Sequence, residues 1–427
     1  MIRNDKFTKV LLNKERSSND DLQKGNISLS FIKACRRALG HYINLMKDRG
    51  LLGGTIEAIK KLRIKFRAKV TGSECPKIKY PKTRISLIVL GRKERNYIDP
   101  LIEESWKYLK ENKLQVTLNC LESIKDNDLI VLVIDSCIVG QLPAEVKDAV
   151  VKSNLPVIVL EYLEQSITLY REYYEIPNLV AVYKSFVVRP ASLNNANQFF
   201  GGYHWGLIRN DYEKERGPVL EEKKPKPISA SNLAKIKCLL WDFDKVHFKT
   251  AANYFANRKW KLDRPRKYDV FCANNHNDPF IQGWHKRKGA EIVDSLKDLK
   301  VVTSLHKHLE KKDYDQKFAD SKVCVACWGY GEKVDMDYYA MYCGVVLIKP
   351  DSDHVETDPD IYQSGKTYVK CRPDLSDLES KIRHVLENWP DYEEMIKRAN
   401  KMITEHSKKY HMKKFWNTVL THAVKIA

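Results

Sequence analysis

"VCVACWGYGEKVDMDYYAMYCGVVLIKP", residues 323–350, opens on a strand-like apolar run and closes on another. Between them stand glycines at 329 and 331 flanking Tyr330, an acid at Glu332, a tyrosine-rich helical turn and a stopping glycine at 344. Strand, turn, helix and strand in this order make a parallel βαβ unit, because a parallel crossover needs a helix to cover the sheet. Glycines just after a strand let a ligand approach the backbone, and the following helix start offers unpaired N–H groups that suit a phosphate. The Glu332 carboxylate suits a different group, since it can accept hydrogen bonds from two hydroxyls, as in a ribose or sugar diol. A turn glycine followed by a capping acid would account for the same residues without any ligand.

Outward from this unit the same texture continues in both directions. Towards the N-terminus, "RKYDVFCANN" (266–275) reads as a strand, 284–297 as a helix, "LKVVTSL" as a strand and 313–320 as a short helix. Towards the C-terminus come "KTYVKC" and helices over 376–388, 391–407 and 411–424. An earlier alternating series begins at "RISLIVLG" (84–91), continues through a helix over 98–112, "LQVTL", "DLIVLVID", a helix near 143–153, "LPVIVLEY" and "NLVAVYKSF", and carries the Pro/Lys-rich loop "GPVLEEKKPKPISAS". The fold class expected is α/β, with two Rossmann-like lobes in tandem, 84–262 and 263–427, behind a basic N-terminal extension, 1–83. Their cleft is expected outside the carboxyl ends of both sheets.

The extension carries much of the charge. Residues 1–83 hold 20 Lys/Arg against 7 Asp/Glu, +13 of a net +19 over 427 residues. Within it, Ile32, Cys35, Leu39, Ile43 and Met46 recur at helical spacing, and Ile56, Ile59, Leu62 and Phe66 form a stripe beside Lys60, Lys61, Arg63 and Arg67. The second segment suits an anionic membrane surface or a solvated face on a packed helix, and its alternating basic residues also allow a strand. No run of about 18 apolar residues or signal-like start is present, so a cytoplasmic chain, soluble or peripheral on a membrane, is expected. The ten cysteines are scattered, and the CxxC of Cys324 and Cys327 lies within a strand-like run, so buried thiols are expected and no disulfide framework.

From 266 to 424 the sequence resembles the GT-B glycosyltransferases, in particular the spore-coat glycosyltransferase-like and group 1 families. The resemblance rests on Gly329, Gly331 and Glu332, on Tyr339-Ala340-Met341-Tyr342-Cys343-Gly344 where that family has a Glu-Ala-x-x-x-Gly core, and on Tyr368-Val369 and Asp377-Leu378. It implies a nucleotide-sugar donor on the second lobe and an acceptor on the first. Gly329, Tyr330, Gly331 and Glu332 would then form the donor loop. Tyr339 replaces the family glutamate, and Asp335, one turn earlier on the same face, would share its work on donor hydroxyls. Arg287 and Lys288, near the start of the 284–297 helix, would face the diphosphate, with Arg287 stabilising the departing nucleotide. The resemblance thus implies transfer of a hexosyl or related group to a hydroxyl of a glycan, lipid-linked or protein acceptor, with no cofactor and no metal.

Other residues invite competing readings. His204 in "FGGYHWGLI" is the candidate base for the acceptor hydroxyl, with His276 and Asp135 as weaker ones; a lone histidine also serves as a structural residue. Asp242-Phe-Asp244 matches a short metal-binding pattern, yet Val246 stands where a phosphatase motif needs threonine. The alternatives to a transferase are a catalytically inactive relative and a basic nucleic-acid-binding protein, the latter supported by charge alone; no specific nucleic-acid partner is expected. On this reading Glu332→Ala weakens donor binding and leaves the fold intact.

Overall fold

The computed structural model describes residues between Pro81 and Ala423, except 91–101, 103–104, 120, 136–141, 163–165, 167–171, 197–201, 219–225, 240–264, 274–279, 307–308 and 406–407. The chain divides into two units, Met1–Glu74 and Cys75–Ala427, and every described residue belongs to the second. The basic stripe of the extension therefore lies outside the described residues.

The first lobe holds, among the described residues, a six-stranded parallel sheet in the order β2-β1-β3-β4-β5-β7. Its strands are β1 (Thr83–Leu90), β2 (Leu114–Leu118), β3 (Leu129–Asp135), β4 (Val157–Tyr162), β5 (Leu179–Lys184) and β7 (Ile236–Cys238). Helix α1 (Ala144–Ser153) links β3 to β4. Side chains alternate between the faces of a strand, and here both sets are buried. Ile85, Leu87, Leu129, Val131 and Val133 enter one core, while Ile88, Ile130, Leu132 and Ile134 enter the other. That is why these strands read as unbroken apolar runs.

Between β5 and β7 the chain leaves this sheet. Strand β6 (Phe186–Val188) is followed by the short helix α2 (Tyr203–Gly206) and by α3 (Arg209–Arg216).

The second lobe repeats the plan with β8 (Tyr268–Cys272), α4 (Ile281–Ser295), β9 (Val301–Thr303), α5 (Lys311–Ala319), β10 (Ser321–Val325), α6 (Asp335–Cys343), β11 (Val346–Pro350), β12 (Val355–Thr357), β13 (Val369–Cys371), α7 (Leu378–Glu387), α8 (Glu393–Glu405) and α9 (Lys408–Ala423). Its parallel sheet runs β13-β11-β10-β8-β9. Counted within each sheet, the order is 2-1-3-4-5-6 in the first and 2-1-3-4-5 in the second, so each reverses direction between its first and third strands. Ligands of such sheets bind outside the carboxyl ends at that switch point. In the second lobe it falls between β8 and β10, and the Gly-Tyr-Gly-Glu turn follows β10 directly.

Helix α6 stops where the sequence requires. Gly344 takes φ 60°, ψ 39°, the left-handed cap that glycine adopts without strain, and its N–H bonds the Met341 carbonyl. Helix α4 seats very close to the end of β10. A Cβ on Gly289 would stand 2.3 Å from Cys327 Sγ, so a glycine is required there, and Cys324 and Cys327 are buried free thiols. Gly289→Ala is expected to destabilise by about 1–3 kcal/mol through overpacking, against a helix-propensity gain of about 1 kcal/mol. Adding Cys327→Ala should recover part of the loss in urea melts, and a neutral single variant would contradict the close approach.

Three features depart from the sequence expectation. The 203–216 segment, assigned to the first lobe, packs on the second: Trp205, Ile208 and Tyr212 form one apolar cluster with Ile281, Trp284 and Trp328. The sequence places the last helix, α9, with the second lobe, but it returns to the first. Its Phe415, Trp416 and Val419 complete the core around Ile85 and Leu129, and Trp416 Nε1 donates to Ser105 Oγ at 2.7 Å. Strand β6, read as the continuation of β5, instead pairs antiparallel with β12 across the lobes, Val188 opposite Val355. Arg189 extends this ribbon, donating to the Glu356 carboxylate at 2.8 Å. Among the described residues no helix is long and apolar enough to cross a membrane.

Candidate functional site

The turn at 329–332 is closed by the Gly329 N–H donating to the Gly331 carbonyl, 3.0 Å away. A Cβ on Gly329 would lie 3.1 Å from Val334 Cγ1 and 3.7 Å from Lys286 Nζ, so the turn is compact and a lysine ammonium stands beside it. Tyr330 projects from the tip, 49% exposed, while Gly331 is buried.

Glu332 was expected in an open cleft, and it is fully buried. Its surroundings come from both lobes. Ser166, in the loop after β4, donates its N–H to Oε2 at 3.1 Å and its hydroxyl to Oε1 at 2.5 Å. His204 Nδ1 lies 3.2 Å from Oε1, and His354 Nε2 lies 3.5 Å from it. Burial alone would raise the Glu332 pKa, yet the adjacent His204 and His354 rings hold it well below the usual carboxylate range. The carboxylate is therefore ionised and satisfied, a buried charge made tolerable by partners.

His204 is equally buried. Its ring lies 4.3 Å from that of Trp205 and 5.2 Å from that of Trp328. Gly202 presses on its other side, where an added Cβ would come within 2.7 Å of the ring. Nδ1 stands 3.2 Å from Glu332 Oε1 as an ion-pair contact, and neither ring nitrogen completes a hydrogen bond among the described residues. The two residues singled out separately in the sequence, one per series, thus form a carboxylate–imidazole pair. Behind them His285 stacks on Trp328 and bonds the Pro373 carbonyl through Nε2, and burial pushes its pKa down to about 3, which leaves it neutral.

The remaining candidates lie apart from this pair. Helix α4 begins at Ile281, a turn earlier than the sequence suggests, so Arg287 and Lys288 occupy its second turn rather than its start. Lys288 is engaged by Glu215 of α3 at 3.8 Å and stands 5.1 Å from the Trp284 ring. Asp335 and Tyr339 do share a face of α6, but Tyr339 meets Phe318 of α5, ring centroids 6.0 Å apart, and Asp335 is exposed. His276, Asp242, Asp244 and the Asp135 side chain lie outside the described residues.

Below the turn a second buried pair supports α6. Lys349 Nζ lies 3.1 Å from Asp337 Oδ2, both side chains fully buried, and Asp337 also accepts from the Tyr362 hydroxyl and from the Val334 N–H. Burial pushes the Asp337 carboxyl up, against the pull of Lys349. Sequence reasoning missed Ser166, His354, Lys286 and this pair. Only the pair left a trace: a lysine ends the apolar run "VVLIKP", where an ionisable group is buried only with a partner.

Against known proteins, no family model and no curated protein matches the chain. Solved structures do. An α-glucosyltransferase in complex with UDP and a 13-mer DNA is 9% identical, with TM-score 0.40, over 79% of this chain and 99% of that one. A lipopolysaccharide outer core galactosyltransferase is 12% identical, with TM-score 0.41, over 79% and 99%. A UDP-GlcNAc 2-epimerase from Neisseria meningitidis bound to UDP-GlcNAc is 12% identical, with TM-score 0.37, over 79% and 100%. The similarity is one of chain course.

Proposed function

We propose that the chain is a glycosyltransferase of the GT-B type, which moves a hexosyl or related group from a nucleotide-sugar donor to a hydroxyl of a glycan, lipid-linked or protein acceptor. The observation that carries this reading is the His204–Glu332 pair, which lies beside the switch point of the second sheet and is contacted from the first lobe by Ser166. A base held by a carboxylate through one ring nitrogen keeps the other for the proton of a nucleophile. In the reaction the acceptor oxygen bonds the anomeric carbon, and the bond from that carbon to the phosphate oxygen breaks. The electron pair leaves with the nucleoside diphosphate, and the hydroxyl proton goes to His204 Nε2. Glu332 then acts on His204 rather than on donor hydroxyls. Lys286 beside the turn, with Arg287 and Lys288 on the same helix, supplies positive charge for the departing diphosphate without a metal.

Because His204 and Glu332 are fully buried, acceptor access requires the lobes to part, as in other enzymes that close over their substrates. A second reading, a glycosyltransferase-like chain without turnover, draws on Tyr339 in place of the family glutamate and on the enclosed Glu332.

A screen of nucleotide sugars by thermal shift separates these. A true donor at a hundredfold excess over Kd stabilises the fold by about 2.7 kcal/mol. Turnover of that donor should then persist in excess EDTA and gain nothing from added manganese. Activity that vanishes with chelator and returns with manganese would overturn the metal-free assignment. Binding without hydrolysis or transfer would favour the inactive reading, and absence of stabilisation by any nucleotide sugar would reject both.

A further inference from the structure

We infer that Ser166 is a positioning residue for the base, so that the Ser166–Glu332–His204 chain is complete only when the two lobes meet; the inference rests on the transfer reading above. Ser166 follows β4 of the first lobe, and Glu332 follows β10 of the second. Among the described residues, no element of the second lobe donates to both carboxylate oxygens. Ser166 does, with its N–H on Oε2 at 3.1 Å and its hydroxyl on Oε1 at 2.5 Å, the same oxygen that faces His204 Nδ1 at 3.2 Å.

A carboxylate turns about its terminal bond, and two donors from one residue stop that rotation with Oε1 towards the ring. The third neighbour, His354 of the second lobe, lies further off at 3.5 Å, and its ring is engaged edge-on by Tyr203 at 5.1 Å. The titratable groups facing Glu332 are therefore His204 and His354, with Tyr362 within reach of its charge, and those facing His204 are Glu332 and His285. All are present whether or not Ser166 is changed. What Ser166 adds is orientation, and it can do so only from across the lobe boundary, which makes assembly of the base depend on closure.

The test uses the full chain as Ser166→Ala, Ser166→Thr and Glu332→Gln. Histidine-labelled protein should show a slowly exchanging Nδ1–H resonance of His204, assigned with His204→Gln. It should disappear in Glu332→Gln, broaden or exchange rapidly in Ser166→Ala and return in Ser166→Thr, which keeps both donors. With the donor found by the screen, Ser166→Ala should lower kcat by about tenfold or more while donor KM stays within about twofold, and threonine should restore kcat. The same resonance in Ser166→Ala as in wild type, or a lost resonance with kcat unchanged, would overturn the positioning role. A fall in kcat that threonine does not rescue would also count against it. If wild type turns over no nucleotide sugar, the transfer reading fails and the catalytic role of Ser166 falls with it; the resonance then shows whether the contact itself exists.

Discussion

Glu332→Ala is expected to lower the unfolding free energy by about 3–5 kcal/mol, because it leaves the partners of a buried charge without it. The Ser166 N–H and hydroxyl would lose their acceptor, and His204 would lose the group facing Nδ1. The sequence reading anticipated an intact fold and weakened ligand binding. That followed from an open turn, whereas the carboxylate is fully buried between lobes. Urea melts give the difference directly, and a loss below about 1 kcal/mol would mean that the carboxylate is solvated in solution.

The same carboxylate makes a pH prediction. Its pKa is depressed in the folded chain, so its contribution is fully present above the unfolded-state value, near 4.3 for glutamate, and is lost as pH falls through the lower folded value. Through this titration, the stability gap between wild type and Glu332→Gln should narrow only below about pH 4. A gap that widens on acidification there would give the shift the opposite sign.

Asp337→Ala should cost about as much, again about 3–5 kcal/mol, since it strands the fully buried Lys349 ammonium and frees the Tyr362 hydroxyl and the Val334 N–H. The two charges are harmful singly and tolerable together. Replacing both with apolar residues of similar volume, as Asp337→Leu with Lys349→Met, should therefore be less damaging than Asp337→Ala alone. Thermal and urea melts of Asp337→Leu, Lys349→Met and the double variant close a double-mutant cycle. Additive losses would show that the two side chains act independently. Because the pair anchors α6 just after the Gly-Tyr-Gly-Glu turn, the Asp337→Ala fold should also hold Glu332 less firmly, and the His204 Nδ1–H resonance would report it.

The sequence by itself determined the local elements and their class. Unbroken apolar runs such as 129–134 mark strands covered on both faces, and the run from 335 to Gly344 marks a helix that stops at a glycine. Both are local matters of periodicity and backbone sterics, so they survive without knowledge of the neighbours. The sequence also singled out Glu332 and His204, because an acid after a glycine turn and a histidine after paired glycines are unusual locally. Only the tertiary structure decided that they meet, that Ser166, 166 residues before Glu332, fixes its carboxylate, and that α9 completes the first core. It also turned Tyr339 towards α5 and set the β6–β12 ribbon across the lobes. The reason is physical: periodicity reports that a face is buried but not what lies opposite it, and the state of a buried carboxylate depends on donors brought by distant loops.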